Sequence, residues 1–472
     1  MIVKLIQLKM NKRPMDTDLK IRMSPSLGLL TIANILNKDH NIIMENENIR
    51  DINFNEPVDI VGITVTVDVL PRAIEVAKIF REKNIPVVVG GIHITAVPQD
   101  YLDYFDVISV GMAETTWPDI IRDLENKSLK KIYYCNTKIT GSKIVSPAYN
   151  LINKKDYLYS NVVSTSRGCP FKCDFCYNSC NSYSNFYVNR PIEDVVKDIK
   201  TIGKKHIMFI DDNFIGNPKW TKEFLLAIEP LKIKWNAAVT ANIANMPELL
   251  DLMSRTGCES LFIGFESINN KSLSNVHKKQ NNVTQFEKLV SEIHKRGIMI
   301  NASFVFGLDG DTKETFDATL KWIVDNKIET VTSHILTPYP GTKLYDDMLK
   351  AGRITDFNLS NYNTANVVFK PKNMTADELY NGYIDIYNKI YSFKNIIKRI
   401  PKSKKQVMPY LAFNLLYRKF GRLSEKVCKL LTFQRIGQAG EFLAYKLRLC
   451  FKIMLTIYSK FKRPVIESLV FS

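Results

Sequence analysis

Four of the chain's eight cysteines fall between residues 169 and 180, and three of them form the run Cys169-Pro-Phe-Lys-Cys173-Asp-Phe-Cys176, with Cys180 just beyond. Disulfides across loops this short are unusual, so metal or redox chemistry in a reducing compartment is the better account. Three thiolates in one loop can ligate three irons of a [4Fe–4S] cluster and leave the fourth iron open to a cofactor or substrate. A structural zinc ion wants a fourth protein ligand, for which Cys180 and His206 are candidates. Outside either arrangement Cys180 is a bystander thiol.

The elements that must hold this loop are written in the surrounding periodicity. A short apolar stretch, 162–165, precedes it through the turn Ser166-Arg167-Gly168. Further strand-like stretches at 206–210, 234–239, 260–263, 298–305 and 331–337, separated by helical patterns, predict a partial (β/α)6 barrel over residues 161–391. Ahead of it, residues 1–130 alternate strand-like runs (2–8, 41–44, 60–67, 86–90, 107–110) with helices. Leu29, Ile32, Ala33 and Leu36 share one helix face, and Ala73, Val76, Ala77 and Phe80 share that of a helix opening at Pro71. Five such strands predict a flavodoxin-like (Rossmann-like) α/β domain whose ligands sit at the strands' carboxyl ends. Residues 131–160 read as a connector and 392–472 as a basic helical region.

Length and composition bound the rest. At roughly 150 residues per domain, 472 residues suggest about three folding units. Hydrophobic residues at 45% and charged residues at 24% exclude wholesale disorder and a polytopic membrane protein. The formal charge is +17, but residues 395–472 hold 17 Lys/Arg against 3 Glu, so the basicity belongs to the tail. The apolar N-terminus is too short for a signal peptide, and no stretch has the composition of a membrane span, so the expectation is a cytoplasmic protein.

At the cysteine run the sequence resembles the radical S-adenosylmethionine (SAM) superfamily, whose CxxxCxφC motif follows the first barrel strand; Phe175 fills the aromatic position. The resemblance implies a [4Fe–4S] cluster on Cys169, Cys173 and Cys176, SAM chelated at the open iron, and a 5′-deoxyadenosyl radical released by electron transfer from a donor such as flavodoxin or ferredoxin. It implies contacts to the methionine ammonium from Asp212 and Asn213 and to the carboxylate or ribose from Glu266 and Ser267. Gly307 lies in a turn implied to accommodate adenine, and the segment Thr337–Tyr345 in a loop over the barrel mouth. Asp211 and Asp212 are alternatively a helix cap or turn, and the glycines of the 307–310 segment a simple tight turn.

A flavodoxin-like domain ahead of such a barrel resembles the superfamily's cobalamin-binding (B12-binding) branch, in which Thr64, Gly90, Gly91 and His93 are the candidate contacts to the corrin. Gly28 and Glu114 lie in further matching segments. Asp-x-His-x-x-Gly, the loop that supplies a lower axial histidine, is absent, and Gly111-Met-Ala-Glu114 stands where relatives carry Gly-Glu-Gly-Glu. The resemblance implies methyl transfer to a carbon or phosphorus centre of a lipid-like or natural-product substrate, as in the class B methyltransferases and the hopanoid methylase group. Rearrangement, cyclisation, epimerisation and RNA modification are the alternatives. The last is disfavoured because the methylthiolating tRNA enzymes carry a second cysteine triad. An amphipathic stripe, Leu443, Leu447, Cys450, Met454, Tyr458 and Phe461, edged by Lys and Arg, suits either a peripheral membrane contact or packing on the barrel.

Overall fold

The computed structural model describes residues 1–13, 16, 22–135, 140–180, 186–278 and 280–417. Its N-terminal sheet comprises β1 (Ile2–Gln7), β2 (Asn41–Asn46), β3 (Ile60–Thr64), β4 (Val87–Gly90), β5 (Val107–Val110) and β6 (Ile132–Tyr134). All are parallel, in the order β2-β1-β3-β4-β5-β6. The first five follow the flavodoxin-like order; β6 is a sixth, drawn from residues read above as connector. Its Ile132-Tyr-Tyr is too short to show alternation, and it pairs at the edge of β5.

Four helices cover this sheet: α1 (Leu27–Leu36), α2 (Leu70–Glu82), α3 (Ile92–Ala96) and α4 (Ala113–Glu125). The Ser26 side chain caps α1 by accepting from Leu29 N, and Pro71 opens α2. Ala73, Val76, Ala77 and Phe80 are all fully buried, as are Leu29, Ala33 and Leu36, while Ile32 is half-buried. At Gly62 a Cβ would meet the Trp117 ring of α4 at 2.7 Å, so the glycine is what lets that helix lie flat on the sheet.

The second sheet starts at β7 (Val162–Val163), which is followed by an antiparallel pair, β8 (Ser166–Gly168) and β9 (Tyr187–Asn189). The strands β10 (His206–Phe209), β11 (Lys234–Val239), β12 (Cys258–Glu266), β13 (Met299–Phe306) and β14 (Thr330–Ile335) complete a parallel, unclosed six-stranded array in the order β14-β13-β12-β11-β10-β7. Between and after them run α5 (Ile192–Ile202), α6 (Pro218–Ile228), α7 (Pro247–Arg255), α8 (Asn270–Ser274), α9 (Phe286–Lys295), α10 (Glu314–Asp325) and α11 (Lys343–Lys350). Register separates two faces. Ala238, Phe262 and Asn301 form one row, Gly264, Ser303 and Thr332 the next, and Val305 and His334 the last. This inner face is mostly half-buried, whereas the alternate residues, Leu261, Ile263, Ile300, Ala302 and Phe304 among them, are sealed under the helices.

The chain then folds back along the barrel as α12 (Ala376–Ile390), α13 (Phe393–Lys398) and α14 (Lys404–Tyr417). Thr375 and Glu378 form a reciprocal capping box at the start of α12. Fully buried Arg399 fastens α13 and α14 to the amino end of β14, donating to the carbonyls of Ile328 (2.7 Å), Glu329 (3.2 Å) and Ile390 (2.7 Å) and to Asn414 Oδ1 (3.1 Å). The stripe from Leu443 to Phe461 lies outside the described residues. Among the described residues no helix is long and apolar enough to cross a membrane.

Candidate active site

The cysteine loop leaves the carboxyl end of β7 and is pinned by Asp211. One oxygen of that buried carboxylate accepts from Thr165 N (2.8 Å), Thr165 Oγ1 (3.1 Å), Ser166 N (2.6 Å) and Ser166 Oγ (2.7 Å). Burial still outweighs these bonds and pushes its pKa up to about 6. Asp211 is thus an anchor. The cap ahead of α6 is Asn217, whose side chain accepts from Trp220 N, so neither aspartate is a helix cap.

Beyond the anchor, Cys173 is buried and Cys169 and Cys176 half-buried. Burial raises the pKa of all three thiols, Cys176 to about 12, and the charge of Cys173 bears on both of the others, so the three are close neighbours. Gln280 Nε2 donates to Cys173 Sγ at 3.4 Å. Asp174 ties the loop to the segment after α8, with its N–H on Val276 O and its carboxylate on His277 Nδ1 (2.7 Å). His206 sits at the amino end of β10 between Asn161 and Asn236, so it is no fourth ligand for a zinc ion at the thiols. Among the described residues no three His, Cys, Asp or Glu side chains close on a single-ion site.

Polar groups of the barrel rim face these thiols. Asp212 opens toward the cleft, its pKa raised by the surrounding protein against the hydrogen bond of Asn178 and the charge of Arg167, and its own charge reaches Cys169 and Cys176. Asn213 is fully buried; its Oδ1 receives Thr240 Oγ1 at 3.4 Å, and its Nδ2 has no hydrogen-bond partner among the described residues. Glu266 adopts φ +62° at a bulge between β12 and β13 and pairs with the buried Lys278. Burial alone would lower the Lys278 pKa; Glu266 and Cys173 hold it above its ordinary value. Its ammonium lies 5.7 Å from the centroid of the Phe175 ring. The Ser267 hydroxyl is used locally, accepting from Asn269 N.

Gly307 has a structural reason to be glycine. At φ +96° a Cβ would meet Leu379 of α12 at 2.7 Å, and Asp311 closes the turn on Gly307 N and Leu308 N. Likewise Gly91, at φ +110°, would meet Val65 O at 2.7 Å, so the close packing of the residues after β3 against this turn also requires glycine there. Gly90 and half-buried Thr64 end their strands on the same carboxyl edge.

That edge faces the barrel mouth. His93 is fully buried with both ring nitrogens engaged, Nδ1 with Tyr177 Oη and Nε2 with Tyr101 Oη, each at 2.9 Å. Burial holds its pKa down to about 4, so the ring is neutral. Because Tyr177 directly follows Cys176, His93 fastens the cluster loop to the N-terminal domain. Tyr177 in turn stacks on Tyr339 (4.9 Å between centroids), and at Gly341 a Cβ would meet Ala96 at 3.0 Å. Glu114 reaches Arg167 of β8 at 3.7 Å. Lys278 and Gln280 carry no spacing signal, and only the fold brings them to the thiols; Tyr177 adjoins Cys176 in sequence, but its contact with His93 comes from the fold. The donor set suits a [4Fe–4S] cluster: three neighbouring thiols, an amide donor to one sulfur and a buried cation beside them.

An open parallel barrel carrying a three-thiol loop on its first strand defines a class of iron–sulfur enzyme. The model of the "Radical SAM superfamily" matches residues 163–323, and a "Domain of unknown function (DUF4070)" matches residues 342–445. The chain is 28% identical to a bacteriochlorophyllide d C-12(1)-methyltransferase of Chlorobaculum tepidum, over 80% of this chain and 85% of that one. It is 26% identical to the hopanoid C-2 methylase of Rhodopseudomonas palustris, over 72% and 67%. Its fold matches that of the radical SAM methyltransferase TsrM from Kitasatospora setae, solved with cobalamin and a [4Fe–4S] cluster, at a TM-score of 0.65 and 13% identity over 93% and 99% of the two chains. Residues 163–323 thus match the radical SAM superfamily, and the order of the two sheets along the chain is that of the TsrM fold.

Proposed function

We propose that the chain is a cobalamin-dependent radical SAM methyltransferase acting on an unactivated carbon of a small molecule. The observation that carries this reading is the Tyr177–His93 contact, which docks the residue after Cys176 on the carboxyl edge of the N-terminal sheet. A cofactor on that edge and a substrate in the barrel would then lie face to face. The names of the relatives above, two methylating enzymes, support it.

When bound, the cluster with SAM supplies a hydrogen-abstracting radical and cobalamin a transferable methyl group. The chain's own residues do the rest. Cys169, Cys173 and Cys176 would hold the cluster, with the Phe175 ring against Lys278 beside it. Asp212 would receive the SAM ammonium through a charge-assisted bond, with Asn213, whose Nδ2 has no partner among the described residues, and Glu266 as further contacts to SAM. Thr64 and Gly90, at the carboxyl ends of their strands, would hold the corrin, and His93, with both nitrogens bonded to tyrosines, would not ligate it. The packing of Gly341 on Ala96 and of Tyr339 on Tyr177 keeps water from the space between the domains. Electrons come from a reduced carrier of the flavodoxin or ferredoxin kind.

The test is anaerobic reconstitution of the full chain with iron, sulfide and hydroxocobalamin, followed by reductant and SAM carrying a trideuterated methyl group. The absorbance should show cluster and corrin together, and a product should gain the labelled methyl. A cluster without corrin uptake would leave a radical SAM enzyme and sink the methyl transfer.

A further inference from the structure

The loop after β1 reaches across the domain boundary to the barrel mouth. Arg13 Nη1 donates to Thr364 Oγ1 at 3.0 Å, and the same hydroxyl lies 3.1 Å from Nδ1 of His334. His334 belongs to the last row of the barrel's inner face, above Thr332, which bonds Asn301 at 3.3 Å. Thr364 is held at φ +65°, a left-handed conformation that a β-branched residue adopts only under strain, and its carbonyl receives Ile335 N at 2.8 Å. The strained backbone aims a hydroxyl between a guanidinium and an imidazole at the open end of the sheet.

The guanidinium already displays its preference. Arg13 Nε and Nη2 grip the two oxygens of Asp16 at 3.0 and 3.2 Å, the forked geometry in which arginine binds a carboxylate. The pair is largely shielded, with side-chain exposures of 18% and 8%, so it is not a solvated surface bridge. We propose that Arg13, with Thr364 and His334, is the point at which the enzyme grips a carboxylate of a flat macrocyclic substrate, and that Asp16 occupies this fork until the substrate displaces it. The carboxylate follows from the fork, and the macrocycle from the relative named for a bacteriochlorophyllide. The assignment deepens the methyl-transfer reading and rests on it for the identity of the reaction.

The probe is protoporphyrin IX, whose two propionates are free carboxylates, set against its dimethyl ester, which has the same ring without the charges. Binding to the full chain is followed by quenching of tryptophan fluorescence. Wild-type protein should prefer the diacid about tenfold or more, R13Q should bind acid and ester alike, and D16N should bind the diacid several-fold more tightly with the ester unchanged. Equal binding of acid and ester by wild-type protein, no binding of either, full acid preference in R13Q, or an unmoved diacid affinity in D16N each overturns the proposal. If Arg13 only latched the two domains together, D16N would not tighten acid binding. Corrin uptake with no acid preference sinks this site alone; acid preference without corrin uptake sinks the methyl transfer and leaves the site standing.

Discussion

Asp211 and Asp212 are neighbours with opposite tasks, and the difference comes from which way each carboxylate points. Asp211 turns into the protein and receives four donors on one oxygen, whereas Asp212 opens toward the thiols. Asp212→Asn should therefore keep its iron and lose SAM affinity by roughly ten- to a hundredfold, the equivalent of a charge-assisted bond of ~1.5–3 kcal/mol. Asp211→Asn should do the reverse: an amide oxygen accepts less strongly than a carboxylate, so the loop loosens and iron per chain falls. Iron analysis and equilibrium SAM binding on both variants separate the two. Equal SAM affinity in wild-type and Asp212→Asn protein would reduce Asp212 to a loop residue. The thiols themselves were legible from spacing alone, because a cluster loop is local in sequence. Lys278 and Arg13 were not, since each reaches its site from an unpatterned loop.

At the scale of elements, the periodicity of apolar residues located the long helices and most strands, because a face that must be buried leaves its repeat in the sequence. Every residue expected on the buried face of α2 is buried. What escaped were short pieces stabilised by partners rather than by pattern: β6, and the β8–β9 pair, whose Ser166-Arg-Gly has the chemistry of a turn. The strand expected over 60–67 stops at Thr64, since Val67–Val69 winds into a 3-10 turn whose valines are still buried. The docking of α13 and α14 was equally hidden, because its polar contacts centre on one buried cation, Arg399, with Gln406, Tyr410 and Asn414 adding single bonds. Arg399→Met removes donors from four carbonyls, of which Glu329 O keeps the Asn414 amide, and from Asn414 Oδ1, and orphaned buried acceptors cost about 1–3 kcal/mol each. A local loss of ~3–5 kcal/mol is expected, read as faster limited proteolysis between Ser392 and Tyr417 in the intact protein, with Arg399→Lys intermediate. Proteolysis at the wild-type rate would show that α14 is held without Arg399, by its apolar contacts and the bonds of Gln406, Tyr410 and Asn414.

The molecule as a whole sets two parallel sheets with their carboxyl edges facing, and the face-to-face arrangement depends on few polar contacts. His93 is the deepest of them, between Tyr101 of its own domain and Tyr177 of the cluster loop. A neutral ring donates from one nitrogen and accepts at the other, so it satisfies both hydroxyls; protonation would put a charge in a dry interface. The sign of the pH dependence follows. The unfolded histidine titrates near ~6.5 and the folded one at about 4, so the unfolded chain binds more protons in between and stability falls as the pH drops through that window. Between pH 7 and pH 5 this one group should remove about 2 kcal/mol. His93→Gln keeps a donor and an acceptor and cannot titrate. Its urea midpoint should start a little below that of wild-type protein at pH 7 and lose less on the way to pH 5, so the two curves converge. Parallel curves would mean that His93 is solvated and charged at pH 5, and that Tyr177 is held to the N-terminal sheet by stacking on Tyr339 rather than by the imidazole.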